Sequence, residues 1–258
     1  MSHARVRSHP FLDWPAPIPF AHRGGASEQP ENTLAAFAAA VELGFRYLET
    51  DVRATRDGVL LAFHDPCLDR VTDRTGRIEE LPWAEVRRAR VDGREPIAQL
   101  AEVLDAFPDA RINIDAKHDA AVEPLVATLR AANALDRVCV ASFSEPRLRR
   151  LRRELGPTVC TALGPVGVGA LRAAGWGAPV RRWLDAPCAQ VPSRQGPVPL
   201  VDRRTLAAAH RARVAVQVWT VDDPAEIHRL LDLGVDGLMT DRPTVLKDVL
   251  VARGQWVS

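Results

Sequence analysis

Residues 47–65 read YLETDVRATRDGVLLAFHD. Two extended, apolar-rich runs flank Asp57-Gly58, and Asp-Gly between such runs is a strong signal for a tight hairpin turn. A two-residue turn centred there sets Asp51 directly across from His64, with Cβ atoms ~5 Å apart on one face. Alternation puts Tyr47, Glu49, Asp51 and Arg53 on that face and Leu48, Thr50 and Val52 on the other. Two acids and an imidazole on one side of a ribbon make a metal site with a proton carrier beside it. An ordinary hairpin with solvated charges fits the ribbon equally well, so its surroundings must decide.

Upstream, Ile18 to Ala21 is a short apolar strand ending in His22-Arg23-Gly24-Gly25. Paired glycines after a strand allow close backbone approach, and the loop N–H groups can face an anion. Pro30-Glu31-Asn32-Thr33 opens a helix capped by Asn32 or Thr33, with Leu34, Phe37 and Val41 at helical spacing and Gly44 as its stop. Residues 1–17 read as an irregular, Pro-rich leader. Downstream, 66–109 is a weakly patterned excursion over one mouth of the fold, with a short helix near 83–89 and a better one over 97–107. Strands are expected at 110–117, 138–143, 158–163, 187–191, 214–220 and 236–240, separated by helices at 120–132, 145–155, 166–174, 202–212 and 224–233.

That makes eight strands with mostly helical crossovers, plus one antiparallel arm. Alternating β and α over this length favours a single α/β domain, a (β/α)8 TIM barrel spanning 18–250 with a small insertion at about 66–109. An open doubly wound sheet is the competing architecture.

The 258 residues carry a formal net charge of +1, without the basic excess of a nucleic-acid or membrane-surface binder. No run of eighteen apolar residues stands as a membrane helix, and the leader has no apolar core of a secretory signal, so a cytoplasmic protein is expected. Cys67, Cys139, Cys160 and Cys188 lack CxxC spacing and read as reduced thiols. Positive charge is almost all arginine; the two lysines are Lys117 and Lys247, so a lysine at the end of a buried strand stands out.

In a barrel of this kind, chemistry collects at the carboxyl ends of the strands. Those ends carry His22 and Arg23, then Glu49 and Asp51, then Asn113, Asp115 and Lys117, and finally Trp219. Converging carboxylates repel and drift toward protonation unless a cation joins them. Oxygen donors without cysteine suggest one hard divalent cation, Mg²⁺ or Ca²⁺. Two imidazoles flanking such a centre can serve as base and acid. Arg23 and Lys117 suit an anionic substrate such as a phosphodiester. Asp65 either orients His64 or caps a turn; Asp241 reads as a turn former and His118 as a surface residue.

The segments AHRGG (21–25), PENTLAAF (30–37), ETDV (49–52), TRDGVLLAFHD (55–65), NIDAK (113–117), VQVWTVD (216–222) and GVDGLMTDRP (234–243), in that order, resemble the glycerophosphodiester phosphodiesterases. The resemblance implies a phospholipase-C-like barrel that splits glycerophosphodiesters into sn-glycerol 3-phosphate and an alcohol. It implies acid–base roles for His22 and His64, metal ligation by Glu49, Asp51 and Asp115, and phosphate contacts from Arg23 and Lys117. Trp219 matches a pocket-lining aromatic, and Glu31 falls in a motif near the site, where helix entry competes with contact to metal or substrate. Asp115 departs from the glutamate usual in the family; toxins of the related sphingomyelinase D group also have Asp there, which leaves metal preference open. Two other readings compete: a lysophospholipase D-like activity, which needs an apolar channel at the mouth, and a non-catalytic barrel that binds a phosphorylated ligand. No nucleic-acid partner or stable membrane insertion is expected.

Overall fold

The computed structural model describes residues 9–15, 17–196 and 198–257; residues 1–8 and 16 of the expected leader lie outside them. A 3-10 turn at Pro10–Leu12 leads into β1 (Ile18–His22), α1 (Leu34–Glu42), β2 (Tyr47–Ala54) and the antiparallel arm β3 (Leu60–Ala62). The excursion follows, with α2 (Trp83–Val86), the short pair β4 (Arg90–Val91) and β5 (Glu95–Pro96), and α3 (Leu100–Ala106). Then come β6 (Arg111–Ala116), α4 (Val122–Ala131), β7 (Val138–Ala141), α5 (Glu145–Leu155), β8 (Cys160–Thr161), α6 (Pro165–Ala174) and β9 (Cys188–Pro192). A small ribbon of β10 (Arg194–Gln195) and β11 (Val198–Pro199) precedes α7 (Arg203–Arg211), β12 (Ala215–Trp219), α8 (Pro224–Leu233), β13 (Gly237–Thr240) and α9 (Pro243–Ala252).

Helix boundaries follow local chemistry. In α5, the Ser144 hydroxyl accepts from the Arg147 N–H, Pro146 sits in the first turn, and Leu148, Leu151 and Leu155 bury one face. Gly156, at φ 79°, then ends the helix. In α1 the cap is Thr33, whose Oγ1 accepts from the Ala36 N–H.

The strands run β8-β7-β6-β2-β1-β13-β12-β9, all parallel. The two ends of this order meet at one bridge, Ala162 to Cys188, where the Leu163 N–H donates to the Cys188 carbonyl at 2.8 Å. This nearly closed eight-stranded parallel barrel, with β3 as an arm on β2, is the expected architecture; the bridge that joins the two ends of the strand order rules out the open sheet. Alternation divides the strand residues as expected. Leu48, Ile112, Val140 and Val216 pack with helix residues such as Phe37 and Leu125, whereas Phe20, Tyr47, Cys139 and Ala215 form a separate interior cluster.

Phe11 joins that interior cluster and is fully buried. The Tyr47 hydroxyl donates to the Phe11 carbonyl at 2.6 Å, and Arg111 donates to Tyr47 Oη and to the Asp13 carbonyl. Residues 10–13 therefore close the amino-terminal end of the barrel.

The hairpin differs from its expected register. Val52 pairs with Ala62, Arg53 with Leu61 and Ala54 with Leu60, so the loop holds three residues, with Gly58 at φ 83°. The Thr55 N–H donates to the Val59 carbonyl and the Gly58 N–H to the Thr55 carbonyl, the pattern of a turn closed by a glycine bulge. Thr55 selects it, since its Oγ1 accepts from the Val59 N–H and donates to Asp57. A one-residue change of register alters which residues oppose each other. Phe63, not His64, is opposite Asp51, donating its N–H to the Asp51 carbonyl at 2.8 Å. Phe63 joins Leu61, Leu68, Ile78, Val86 and Ile97 in a cluster that docks the excursion onto the arm.

The four cysteines are free, yet Cys139, Cys160 and Cys188 are brought together by β7, β8 and β9. Spacing along the chain conceals a convergence that the curvature of the barrel creates. Among the described residues, no helix is long and apolar enough to cross a membrane.

Candidate active site

A cavity of ≈ 730 Å³ opens at the carboxyl ends of the strands. One side is lined by His22, Arg23, Glu49, Asp51, His64, Asn113, Asp115 and Lys117. The other is largely apolar, with Phe143, Leu163, Val168, Val191, Leu200 and Trp219, broken by Arg172 and Gln190. Eight of the nine residues singled out in the sequence thus line one cavity. Glu31 is the exception: it lies behind Arg23, accepting from that guanidinium at 3.1 Å and from Arg70 at 2.7 and 2.9 Å.

The two imidazoles are held alike. His22 Nδ1 lies 2.6 Å from Asp241 Oδ1, and His64 Nδ1 lies 2.6 Å from Asp65 Oδ1. An ionised carboxylate only accepts, so each ring donates from Nδ1 and leaves Nε2 for other work. Asp241, expected to form a turn, is instead the anchor of His22. Asp65 takes the orienting role of its two alternatives, and it also accepts from Arg70. His64 reaches the cavity because the chain leaves the ladder after Ala62; Arg53 fixes its backbone by donating to the His64 carbonyl at 2.7 Å. His118 is half-buried and lies outside the lining.

Parallel register delivers the acids. Glu49 pairs with Asn113 and Asp51 with Asp115 across β2 and β6, which sets both aspartates at one height. The Lys117 ammonium lies between them, 2.8 Å from Asp51 Oδ1 and 2.7 Å from Asp115 Oδ2. The Arg23 guanidinium lies 3.0 Å from Asp51 Oδ2, but off the N–H direction, so neither atom has a hydrogen-bond partner. Asp115 Oδ1 is likewise buried without a partner.

Burial dominates the electrostatics. It pushes the Glu49 carboxyl up to about 7, helped by the neighbouring charge of Asp51. It raises Asp115 despite Lys117. Burial also acts to raise Asp51, yet the positive charges of Lys117 and Arg23 outweigh it and hold that carboxyl below its ordinary value. For His22, burial works against the charged ring, but Glu49 and Asp241 prevail and its pKa is raised. Glu49 Oε2 lies 3.6 Å from His22 Nε2 and accepts from the Arg23 N–H at 3.1 Å. Unpartnered oxygens on Asp51 and Asp115, beside a third carboxyl whose pKa is raised by burial and by Asp51, fit a hard divalent cation.

The paired glycines act differently from the sequence expectation. The Gly24 N–H donates to the Ala21 carbonyl and the Gly25 N–H to the His22 carbonyl, so neither is presented to a ligand. Gly24, at φ 82°, is needed because a Cβ there would lie 2.7 Å from the Ala36 Cβ of α1.

Two further contributors escaped sequence reading: Arg70, which ties Glu31 to Asp65, and Phe143, whose ring meets Trp219 edge-on at 5.7 Å. The excursion gave no signal for Arg70. Asp241 was recoverable, because it follows the last strand, and in a closed barrel the last strand adjoins the first.

Residues 22–245 match the model of the glycerophosphoryl diester phosphodiesterase family. The chain is 43% identical to a probable glycerophosphodiester phosphodiesterase 2 of Mycobacterium tuberculosis, covering 95% of both chains. Its fold is similar to that of a putative glycerophosphoryl diester phosphodiesterase from Silicibacter pomeroyi, with TM-score 0.79, 24% identity and coverage of 96% of this chain and 99% of the other. It is also similar to an Oleispira antarctica phosphodiesterase in complex with its product sn-glycerol-3-phosphate, with TM-score 0.75, 22% identity and coverage of 91% and 97%. With its barrel, its paired histidines and a family match that spans nearly all of its length, the chain belongs to the glycerophosphoryl diester phosphodiesterase family.

Proposed function

We propose that this protein hydrolyses glycerophosphodiesters to sn-glycerol 3-phosphate and an alcohol, with His22 and His64 as the acid–base pair. The observation that carries the reading is the pair of carboxylate-anchored rings at one cavity, His22 on Asp241 and His64 on Asp65, beside three acids. Arg23 and Lys117 attract the phosphate and hold its non-bridging oxygens. One ring removes a proton from the attacking hydroxyl of the substrate's own glycerol while the other protonates the departing alkoxide, and water then opens the resulting cyclic phosphate to sn-glycerol 3-phosphate. Asp65 and Asp241 hold each ring in the tautomer that keeps Nε2 toward the substrate.

Glu49, Asp51 and Asp115 are the residues that would hold a divalent cation, Mg²⁺ or Ca²⁺, whose chemistry is to neutralise charge developing on the phosphoryl oxygens. The apolar wall of Phe143, Leu163, Val168 and Trp219 faces the space left for the alcohol. It favours a second reading in which lysophospholipids are also split; no residue of the 66–109 excursion contributes to this wall. Cytoplasmic location remains part of the proposal.

The deciding assay is a panel of glycerophosphodiesters and lysophospholipids treated with EDTA, followed by Mg²⁺, Ca²⁺ or Mn²⁺. Chelation is expected to abolish release of sn-glycerol 3-phosphate, and the physiological ion to restore it. Full turnover in EDTA would remove the metal role. Failure on every diester with every ion would leave a ligand-binding barrel instead.

A further inference from the structure

One layer beneath the cavity floor, below Ala141, Ala162 and Gln190 of the lining, three thiols converge. Cys139 of β7, Cys160 of β8 and Cys188 of β9 are fully buried, and their sulfurs all lie within 4.8 Å of one another. Cys139 Sγ and Cys188 Sγ are 3.7 Å apart. Sulfurs bound to one tetrahedral zinc, each at about 2.3 Å, are separated by roughly 3.8 Å. The trio therefore already has close to ligand spacing. Cys160 and Cys188 are the first residues of their strands, which places the trio in the amino-terminal half, apart from the carboxylates at the strand ends. Its neighbours are apolar, including Phe11, Phe20 and Met239.

A second observation gives the trio a purpose. β2 and β6 pair over six residues and β9 and β12 over five, but β8 and β9 share only the bridge from Ala162 to Cys188. The barrel is thinnest at the seam that two of these thiols flank. We propose that Cys139, Cys160 and Cys188 form a site for a borderline-soft divalent ion of the Zn²⁺ or Cd²⁺ class, which staples β7, β8 and β9 across that seam.

Sulfur-only donors select such ions over Mg²⁺ or Ca²⁺. A coordinating thiol is deprotonated outright, so three thiolates around a divalent ion leave one negative charge, which is partly offset by Arg152, whose guanidinium donates to Thr161 Oγ1 and the Ala162 carbonyl beside the trio. Binding thus forms three metal–sulfur bonds and releases three protons to the buffer. Access comes during folding, before the layer closes.

The test uses the full chain with Cys67→Ala, which removes the remaining free thiol. The protein is unfolded and refolded with Cd²⁺ or in EDTA. Expected are one equivalent of Cd²⁺ beyond what the Cys160→Ala/Cys188→Ala double variant retains through gel filtration, a sulfur-to-cadmium charge-transfer band, release of three protons and a rise in Tm. Cys139→Ala, Cys160→Ala and Cys188→Ala should each weaken or abolish the band, whereas Glu49→Gln and Asp115→Asn should leave it intact. A band that persists in the Cys160→Ala/Cys188→Ala double variant overturns the proposal. Retained metal with no sulfur band, or no uptake on refolding, does the same. Should an alanine variant fail to fold without metal, the band, proton count and Tm shift of the Cys67→Ala parent still decide.

Discussion

His22 and His64 each give Nδ1 to a carboxylate, and Lys117 spans two more. None of these groups rests on its neighbour for packing alone, so their removal is expected to cost chemistry before stability. His22→Ala and His64→Ala should each lower turnover by about 10²–10⁴-fold while circular dichroism shows a folded protein. Wild-type rates in either variant would dismiss the acid–base pair. The cavity residues on β1, β2, β6 and β12 were legible because strand-end positions of a barrel are fixed by counting alternate residues. Asp65 was legible with its partner, as one of two readings, whereas Asp241 was read as a turn former, since its contact with His22 shows only once β13 is set beside β1. Glu31 carried the opposite lesson: its motif pointed to the site, but Arg23 stands between it and the cavity.

At the scale of elements, the hairpin shows how one residue of loop length redirects a ribbon. Asp-Gly marked the turn, yet Thr55 closed it as a three-residue loop, so the facing of Asp51 and His64 rests on the departure of the chain after β3. Helices were legible to within a residue or two where caps and stops were strong, as at Ser144 and Gly156. The two helices of the excursion were legible as well, but its loops were not, because their order comes from packing Ile78, Val86 and Ile97 on the arm, not from local periodicity. It reaches the site through Arg70, whose fork joins Glu31 to Asp65. Arg70→Met is expected to lower kcat/KM by about 10–100-fold, as loss of an orienting partner does, in steady-state assays at matched metal concentration. On α7, His210 Nε2 lies 2.9 Å from Asp236, which also accepts from the Val216 N–H. That hydrogen bond raises the His210 pKa. Its contribution is therefore full below the unfolded value of about 6.5 and is lost as pH climbs through the higher folded value. The ring is partly exposed, so the effect is under about 1 kcal/mol. Urea titrations below and above neutrality should show it, and His210→Gln should flatten the difference.

For the molecule as a whole, the barrel has a working end and a stoppered end. Phe11→Ala is expected to destabilise by about 3–5 kcal/mol, the range for truncating a buried aromatic, read as a lower urea midpoint. Activity per folded molecule should persist, because Phe11 lies opposite the cavity. The barrel as a class was legible from alternation of strand and helix, but its stopper was not, since a lone Phe in a proline-rich stretch resembles any loop residue. The anchor between His22 and Asp241 bridges 219 positions of chain and straddles the join of β1 with β13. A growing polypeptide cannot set the His22 ring until Asp241 has been synthesised and the circle of strands is complete. Ribosome-bound intermediates and fragments cut short of the final strand thus lack the carboxylate that fixes the His22 ring.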